Sequence, residues 1–122
     1  MSKAKYFTDA EFRKCSPACS IDDMQQGTLD RLDRARELAG IPFVINSAYR
    51  SVDYERSKGR SGEGAHTRGR AVDIRCSTDR NRYKIILALL TAGFCRIGVG
   101  KTYIHADDDT TRSQNVIWTY YD

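Results

Sequence analysis

The fold of this chain is decided by the stretch His66-Thr67-Arg68-Gly69-Arg70-Ala71-Val72-Asp73-Ile74-Arg75. It follows a glycine-rich loop over residues 59–64, and from residue 70 onward it alternates as a β-strand does. Because successive side chains of a strand point to opposite faces, Asp73 faces away from its apolar neighbours Val72 and Ile74. A carboxylate in the middle of a strand costs free energy unless it is paired or bound to a cation. Asp73 is therefore a candidate for an ion pair or for cation binding.

Around this strand, apolar periodicity and capping residues predict the other elements. Thr8 caps a short helix, and Glu11 completes its capping box. Longer helices are predicted over residues 22–39 and 79–92, a helical turn over 51–58, and strands over 43–46, 70–75, 95–99, 102–107 and 116–120. In the second long helix, the predicted buried stripe consists of Tyr83, Ile86, Leu87 and Leu90.

Helices and strands are partly segregated along the chain rather than strictly alternating. This order favours an α+β fold, in which a small antiparallel sheet is flanked by helices. The length of 122 residues corresponds to a single domain, because domains average roughly 150 residues, and we assign residues 1–122 to it. After the strand over 102–107, we expect Asp108 and Asp109 to form a solvated turn.

The formal net charge is +4, and much of the basic charge lies between residues 50 and 70. Such a cluster suits an anionic partner, either nucleic acid or the carboxylate-rich bacterial wall. The aromatic interleaving of a base-stacking surface does not accompany it, so we expect no nucleic-acid partner. No apolar run approaches the roughly 20 residues of a membrane span, and the start lacks the apolar stretch of a signal peptide. We expect a monomer that is made and kept in the cytoplasm unless another machinery releases it.

The chain contains four cysteines, Cys15, Cys19, Cys76 and Cys95. Cys15 and Cys19 form a C-x3-C pair, but no second close pair completes a zinc-ribbon pattern. Without a signal peptide we expect free thiols, and a local Cys15–Cys19 disulfide is the alternative after release.

The only two histidines lie in polar settings that suit a metal site. His66 and Asp73 have an H-x6-D spacing, and His105 lies in a second predicted strand. If the two strands are neighbours, the three side chains converge. Two imidazoles and one carboxylate are the ligand set of an open zinc site, with the fourth position left for water. The alternative is an ion pair of Asp73 with a nearby arginine, for which the candidates are Arg68, Arg75 and Arg96.

Three motifs together resemble a known family, and they are Ser47-Ala48-Tyr49-Arg50-Ser51, His66-x6-Asp73 and Ile104-His105-Ala106-Asp107. In this order and spacing they are similar to the zinc D-alanyl-D-alanine carboxypeptidase family. That family includes phage L-alanyl-D-glutamate endopeptidases and shares its fold with the Hedgehog signalling domain. The resemblance covers nearly the whole chain, and it is closest to the short members of phage or prophage type.

The resemblance implies a site and an activity. Zinc would be bound by His66, Asp73 and His105, and Arg50 together with Tyr49 would bind substrate, with Arg50 on a carboxylate or carbonyl. The substrate would be a peptidoglycan peptide, cut by a zinc-activated water. Either a D,D-carboxypeptidase or an L,D-endopeptidase fits the motifs.

The chain departs from the family pattern at the general base. Many members carry an acidic residue three positions before the last histidine ligand, where this chain has Thr102. The nearest acid is Asp107, two residues after His105 and so on the same face of the strand. Asp107 is either the general base or a carboxylate that orients a ligand. The alternative function is a non-catalytic zinc-binding module, such as a phage structural or wall-binding protein.

Overall fold

A computed structural model describes residues 1–120 of the chain. The elements, in chain order, are α1 (Asp9–Arg13), a 3-10 turn (Ile21–Asp23), α2 (Gln26–Ala39), β1 (Ile45–Ser47), α3 (Val52–Ser57), a second 3-10 turn (Ala65–Arg68), β2 (Ala71–Arg75), α4 (Asp79–Thr91), β3 (Arg96–Val99), β4 (Tyr103–Asp107) and β5 (Val116–Thr119). The five strands form one sheet in the order β1-β2-β4-β3-β5. Within these residues, no helix combines the length and the apolar character that crossing a membrane requires.

The sheet has one apolar and one polar face, and the alternation within β2 and β4 produces both. Val72 and Ile74 of β2, and Ile104 and Ala106 of β4, are fully buried on the apolar face. Helices α2 and α4 pack against each other, and α4 contacts β4. Both helices therefore share one hydrophobic core with this face of the sheet. The predicted α+β class, with a sheet flanked by helices, is confirmed.

The prediction of an antiparallel sheet is wrong at one edge. The pairs β1–β2, β2–β4 and β3–β4 are antiparallel, but β5 runs parallel to β3. Strand β4 ends at Asp107, which pairs with Arg96 at the start of β3. The chain then passes that end of β3 and joins the sheet on its other side, where Val116 pairs with Arg96. Because β5 begins at the same end as β3, the two strands run in the same direction.

The turn that makes this passage is buried, and the expected solvated turn is wrong. Asp108 and Asp109 are 8% and 1% exposed. Asp108 accepts hydrogen bonds from Thr28 at 2.8 Å and from Arg31 at 2.7 Å, both in α2. Asp109 accepts one from Arg68 at 2.9 Å. These partners lie 40 or more positions earlier in the chain, so local polarity alone does not reveal that the carboxylates are paired and buried.

The predicted buried stripe of α4 is wrong at three of its four positions, because the helix presents a different side to α2. The fourth, Ile86, is partly buried against the core. The exposed fractions are 70% for Tyr83, 51% for Leu87 and 42% for Leu90. The buried residues of α4 are Ile85, Ala88 and Leu89. Residues 85–90 are all apolar, so this run places apolar side chains all round the helix. The helical period then fits two different stripes equally well.

The predicted helix over residues 22–39 is divided in the structure. Ser20 caps the first 3-10 turn, and Met24 is extended, so α2 begins only at Gln26. Gly40, in the left-handed conformation that favours glycine, follows the end of α2. The predicted strand over 43–46 begins two residues later, at Ile45.

The orientation of α4 can be tested with two leucines of the same helix. We predict that Leu89→Ala, which empties a fully buried position, lowers the free energy of unfolding by about 2–5 kcal/mol. The control is Leu87→Ala, which changes a half-exposed position of the same chemistry and should alter that energy by less than about 1 kcal/mol. Urea denaturation followed by circular dichroism measures both. Equal losses for the two variants would contradict the observed packing.

Candidate metal centre

Two local features bring His66, Asp73 and His105 together on the polar face of the sheet. Asp73 and His105 are direct cross-strand partners in the β2–β4 pair. His66 lies in the 3-10 turn that immediately precedes β2. Gly69 ends this turn with a φ of +68°, and a Cβ there would clash with the carbonyl oxygen of Asp23. Glycine at this position therefore lets the turn approach the body of the protein and brings His66 beside the strand pair.

The three side chains are close enough to share one ion. Each offers one ligand atom, and these atoms lie within 4.8 Å of one another. Asp73 Oδ1 is 3.0 Å from His105 Nδ1 and 3.5 Å from His66 Nε2. Among the groups of histidine, cysteine and acidic side chains in residues 1–120, this is the one whose geometry suits a metal ion. The alternative ion pair of Asp73 with Arg68, Arg75 or Arg96 is not what the structure has. Among residues 1–120 the ion-pair partners of Asp73 are the two histidines, and Arg68 and Arg96 pair with other aspartates.

The hydrogen bonds of His66 leave one of its nitrogens ready to bind a metal. Its Nδ1 is 2.6 Å from the carbonyl oxygen of Ala48, which accepts and therefore places the proton on Nδ1. The Nε2 atom is buried and has no hydrogen-bond partner. A buried polar atom without a partner costs free energy in the protein alone. An ion bound by Nε2 would remove that cost, so this residue fits a metal ligand.

His105 is held between two carboxylates. Its Nδ1 faces Asp73, and its Nε2 is 2.6 Å from Asp107 Oδ2. With the proton of Nε2 donated to Asp107, Nδ1 is the ring nitrogen that faces Asp73 and that a metal ion would take. This carboxylate–histidine arrangement is typical of metal sites, where the outer carboxylate fixes the ring and its tautomer. Asp107 Oδ1 accepts from Arg96 Nε at 2.8 Å.

The electrostatics of the cluster favour a positive charge at its centre. Burial raises the pKa of Asp73, but its interactions with the His105 and His66 imidazoles outweigh burial and hold that pKa well below its usual range. Burial lowers the pKa of His105, but the hydrogen bonds to Asp107 and Asp73 raise it above its ordinary value. Without a metal ion, His105 thus holds a proton between the carboxylates of Asp73 and Asp107. A bound metal ion would displace that proton.

A cavity of about 250 Å³ opens beside the three ligand residues. It is lined by Arg50, Arg60, His66, Asp73, Tyr103, His105 and Tyr120. A second cavity of about 210 Å³ shares Arg50, the two histidines and Tyr120, and it reaches Glu55, Arg96, Asp107, Arg112 and Trp118. The centre is therefore open to a ligand, and cationic and aromatic groups surround it.

The other residues named in the sequence analysis differ in how close they lie to the two cavities. Arg50 lines both cavities. Tyr49 packs against the hydrophobic core and is not among the residues that line either cavity. Asp107 is 1% exposed and lies on the opposite side of the His105 ring from Asp73. Thr102 is exposed, and its carbonyl oxygen accepts a hydrogen bond from the backbone of Cys76.

An aromatic wall, formed by Tyr103, Trp118 and Tyr120, was missed by sequence reasoning. The rings of Trp118 and Tyr120 lie 5.5 Å and 6.5 Å from the His105 ring. Gly98 stands between them in the sheet, paired with His105 on one side and with Trp118 on the other. A Cβ at position 98 would lie 2.5 Å from Tyr120 and 2.9 Å from Trp118. The signal for this wall was a glycine inside a predicted strand, which often marks close approach of another group.

The four cysteines are free, and Cys15, Cys19 and Cys76 are buried. Cys15 Sγ donates to the carbonyl oxygen of Ile45 at 3.5 Å. In the described residues they form no candidate metal group.

The role of Gly98 can be tested through Trp118, the single tryptophan of the chain. We predict that Gly98→Ala forces the aromatic wall outwards, shifts the Trp118 fluorescence and lowers the free energy of unfolding by about 1–3 kcal/mol. The control is Gly27→Ala in α2, where the nearest atom to a new Cβ is 3.9 Å away. That variant should leave the spectrum unchanged and should stabilise the helix by up to about 1 kcal/mol. An unchanged spectrum in Gly98→Ala would contradict the wall.

Comparison with known proteins agrees with this geometry. No curated protein sequence matches the chain significantly. The sequence profile of the family described as Peptidase M15 matches residues 5–107, a range that contains His66, Asp73 and His105. Because the match covers most of the 122 residues, the chain belongs to the Peptidase M15 family.

Proposed function

We propose that this protein is a zinc peptidase that hydrolyses peptides of bacterial peptidoglycan, as a D,D-carboxypeptidase or as an L,D-endopeptidase. The observation that carries the proposal is the donor set, in which two buried imidazoles each bring a ring nitrogen to Asp73, within reach of one ion. Membership of the Peptidase M15 family supports it. The net charge of +4 suits an anionic wall. We place the protein among short members of phage or prophage type, which reach the wall after lysis.

The donor set favours zinc over harder cations. Two histidines and one carboxylate with an open side are typical of catalytic zinc, whereas magnesium and calcium take mainly oxygen ligands. His66, Asp73 and His105 would hold the ion, and the Ala48 carbonyl and Asp107 would fix the two imidazoles. When bound, zinc supplies Lewis-acid polarisation of a carbonyl group and a nucleophile at neutral pH.

Arg50 is proposed to bind the substrate. Its side chain is only 20% exposed, and it lines the cavity together with the ligand residues. Its Nε is 3.4 Å from Glu55 Oε1, and the guanidinium makes no hydrogen bond within residues 1–120. A guanidinium can bind a substrate carboxylate through two parallel hydrogen bonds, or hold a carbonyl oxygen as negative charge develops. Tyr49, which packs on the core beside it, is proposed to position Arg50.

Of the two roles considered for Asp107, the geometry favours orientation of His105 over proton transfer. Both carboxylate oxygens are engaged, Oδ2 by His105, and Oδ1 by Arg96 and the backbone N–H of Asp109. The side chain is almost completely buried. A general base must reach and accept the proton that it abstracts. Asp107 borders the second cavity, but His105, Arg96 and the backbone of Asp109 already occupy its two oxygens.

The second candidate function is a zinc-binding module without catalysis. It is favoured by Thr102, which stands where many relatives carry the acid, and by the engagement of Asp107 behind the His105 ring. Such a module would bind zinc and peptide or wall without releasing product.

The peptidase proposal is tested on purified peptidoglycan. We predict that the zinc-loaded protein releases new amino termini from peptidoglycan, that a chelator stops the release, and that added zinc restores it. His66→Ala should be inactive at any zinc concentration, because it removes the ligand nitrogen that has no other partner. Full zinc loading without release of amino termini would favour the non-catalytic module.

The role of Asp107 is tested by Asp107→Asn. If Asp107 orients His105, the variant should bind zinc about 10- to 100-fold more weakly and should regain most of its turnover when zinc is saturating. The matched control is Asp109→Asn, a neighbouring buried carboxylate that pairs with Arg68 and not with His105. It should keep the wild-type affinity for zinc. Lost turnover at full zinc occupancy in Asp107→Asn would instead assign the general base to Asp107.

A further inference from the structure

Glu55 is a buried carboxylate beside the metal centre that the proposed chemistry has not used. It is 5% exposed and lies in α3, a helix that Ser51 caps by accepting from the backbone of Tyr54. Its two oxygens have different partners, because Oε1 is 3.4 Å from Arg50 Nε and Oε2 is 2.6 Å from Arg60 Nε. One carboxylate thus holds two arginines.

The chain reverses direction after α3 in a way that sets Arg60 over Glu55. Gly59 takes a φ of +80°, a conformation that favours glycine. The backbone N–H of Arg60 then donates to the carbonyl oxygen of Glu55 at 2.9 Å. Arg60 is therefore tied to Glu55 by its backbone and by its side chain.

The two arginines keep their terminal nitrogens available. Both face Glu55 through Nε, and within residues 1–120 neither uses a terminal nitrogen in a hydrogen bond. Two other arginines near the centre already use a terminal nitrogen. Arg68 donates to Asp109, and Arg96 donates to the carbonyl oxygen of Ser113. Arg50 and Arg60 both line the cavity of about 250 Å³ that contains the ligand residues.

The charges of this group are unbalanced in favour of an anion. Two guanidinium groups share the Glu55 carboxylate, so these three side chains together carry a net charge of +1 at the cavity wall. Arg60 is half-exposed and Arg50 is largely buried, so an anion bound between them would be partly shielded from water. Charge-assisted hydrogen bonds are strongest in such a setting.

We propose that Arg60 is a second substrate-binding residue, and that Glu55 positions Arg50 and Arg60 as a two-arginine clamp for one carboxylate of the peptide substrate. This rests on the proposed peptidase function and narrows its substrate class. Because the clamp and the metal ligands share one cavity, the substrate carries a free carboxylate close to the bond that is cut. Arg50 alone would accept either a carboxylate or a carbonyl oxygen, and the second arginine selects the carboxylate.

The clamp is tested by binding, which needs no turnover. The probes are N-acetyl-D-alanyl-D-alanine and its C-terminal amide, titrated into the zinc-loaded protein at low temperature and followed by isothermal calorimetry. We expect the acid to bind about 10- to 100-fold more tightly than the amide, the range that a charge-assisted hydrogen bond supports. Arg60→Ala should lose most of this preference. Arg56→Ala, an exposed arginine of α3 that lines neither cavity, should keep it.

Glu55→Gln tests the positioning role, with circular dichroism to verify the fold. It should reduce the acid-over-amide preference and raise KM for the acid more than it lowers kcat, whereas a purely structural defect would weaken both probes equally. Arg60→Ala that retains the wild-type preference overturns the clamp. A wild-type protein that prefers the acid but cuts no peptide supports the clamp while removing the peptidase function.

Discussion

The cross-strand pair of Asp73 and His105 is the constraint on which the rest of the structure depends. A carboxylate and an imidazole meet at 3.0 Å in the middle of a sheet, and both are largely withdrawn from water. Such a pair is stable only if its remaining polar atoms are satisfied, because an unpaired buried group costs about 1–3 kcal/mol. Asp107 and the Arg96 behind it supply partners for His105, whereas His66 Nε2, 3.5 Å from Asp73 Oδ1, is left for a bound ion. The side chains on the polar face of the sheet are arranged to meet this requirement. The packing of the apolar face against the helices offsets the free-energy cost of burying the pair.

The passage from β4 to β5 shows how the same requirement shapes the fold. Three consecutive aspartates, Asp107, Asp108 and Asp109, are each buried and paired. Asp107 pairs with His105 and Arg96, Asp108 pairs with α2, and Asp109 pairs with the turn that carries His66. These ion pairs fix the end of β4 against two other parts of the chain. The connection then leads around β3, so that β5 brings Trp118 and Tyr120 over Gly98 to the His105 ring. The segment from Asp107 to Tyr120 thus both anchors the candidate metal centre and completes its aromatic wall.

Residue patterns alone predicted the α+β class and the three metal-ligand candidates, because both depend on local signals. Alternation within residues 70–75 separates Asp73 from the apolar neighbours that enter the core. That the strand of His105 lies beside it was only a condition of the prediction, and the sheet pairing supplies it. The stripe of α4 was not predictable from its period, because residues 85–90 are apolar on every side. The burial of Asp108 and the pairing of Glu55 with Arg50 and Arg60 were also missed. In these cases the tertiary fold determines which side chains the carboxylates contact. For Arg60, the contact depends on the change of chain direction at Gly59, which hydrophobic periodicity does not describe.

The central claim is that His66, Asp73 and His105 form one zinc site whose imidazoles are oriented from behind by Ala48 and Asp107. Anomalous diffraction at the zinc edge, from crystals of the zinc-loaded protein, tests it most directly. The account predicts a single strong peak about 2.0–2.2 Å from Nε2 of His66, Nδ1 of His105 and a carboxylate oxygen of Asp73. A peak at the thiols of Cys15 and Cys19, or zinc bound through Nε2 of His105, would contradict it.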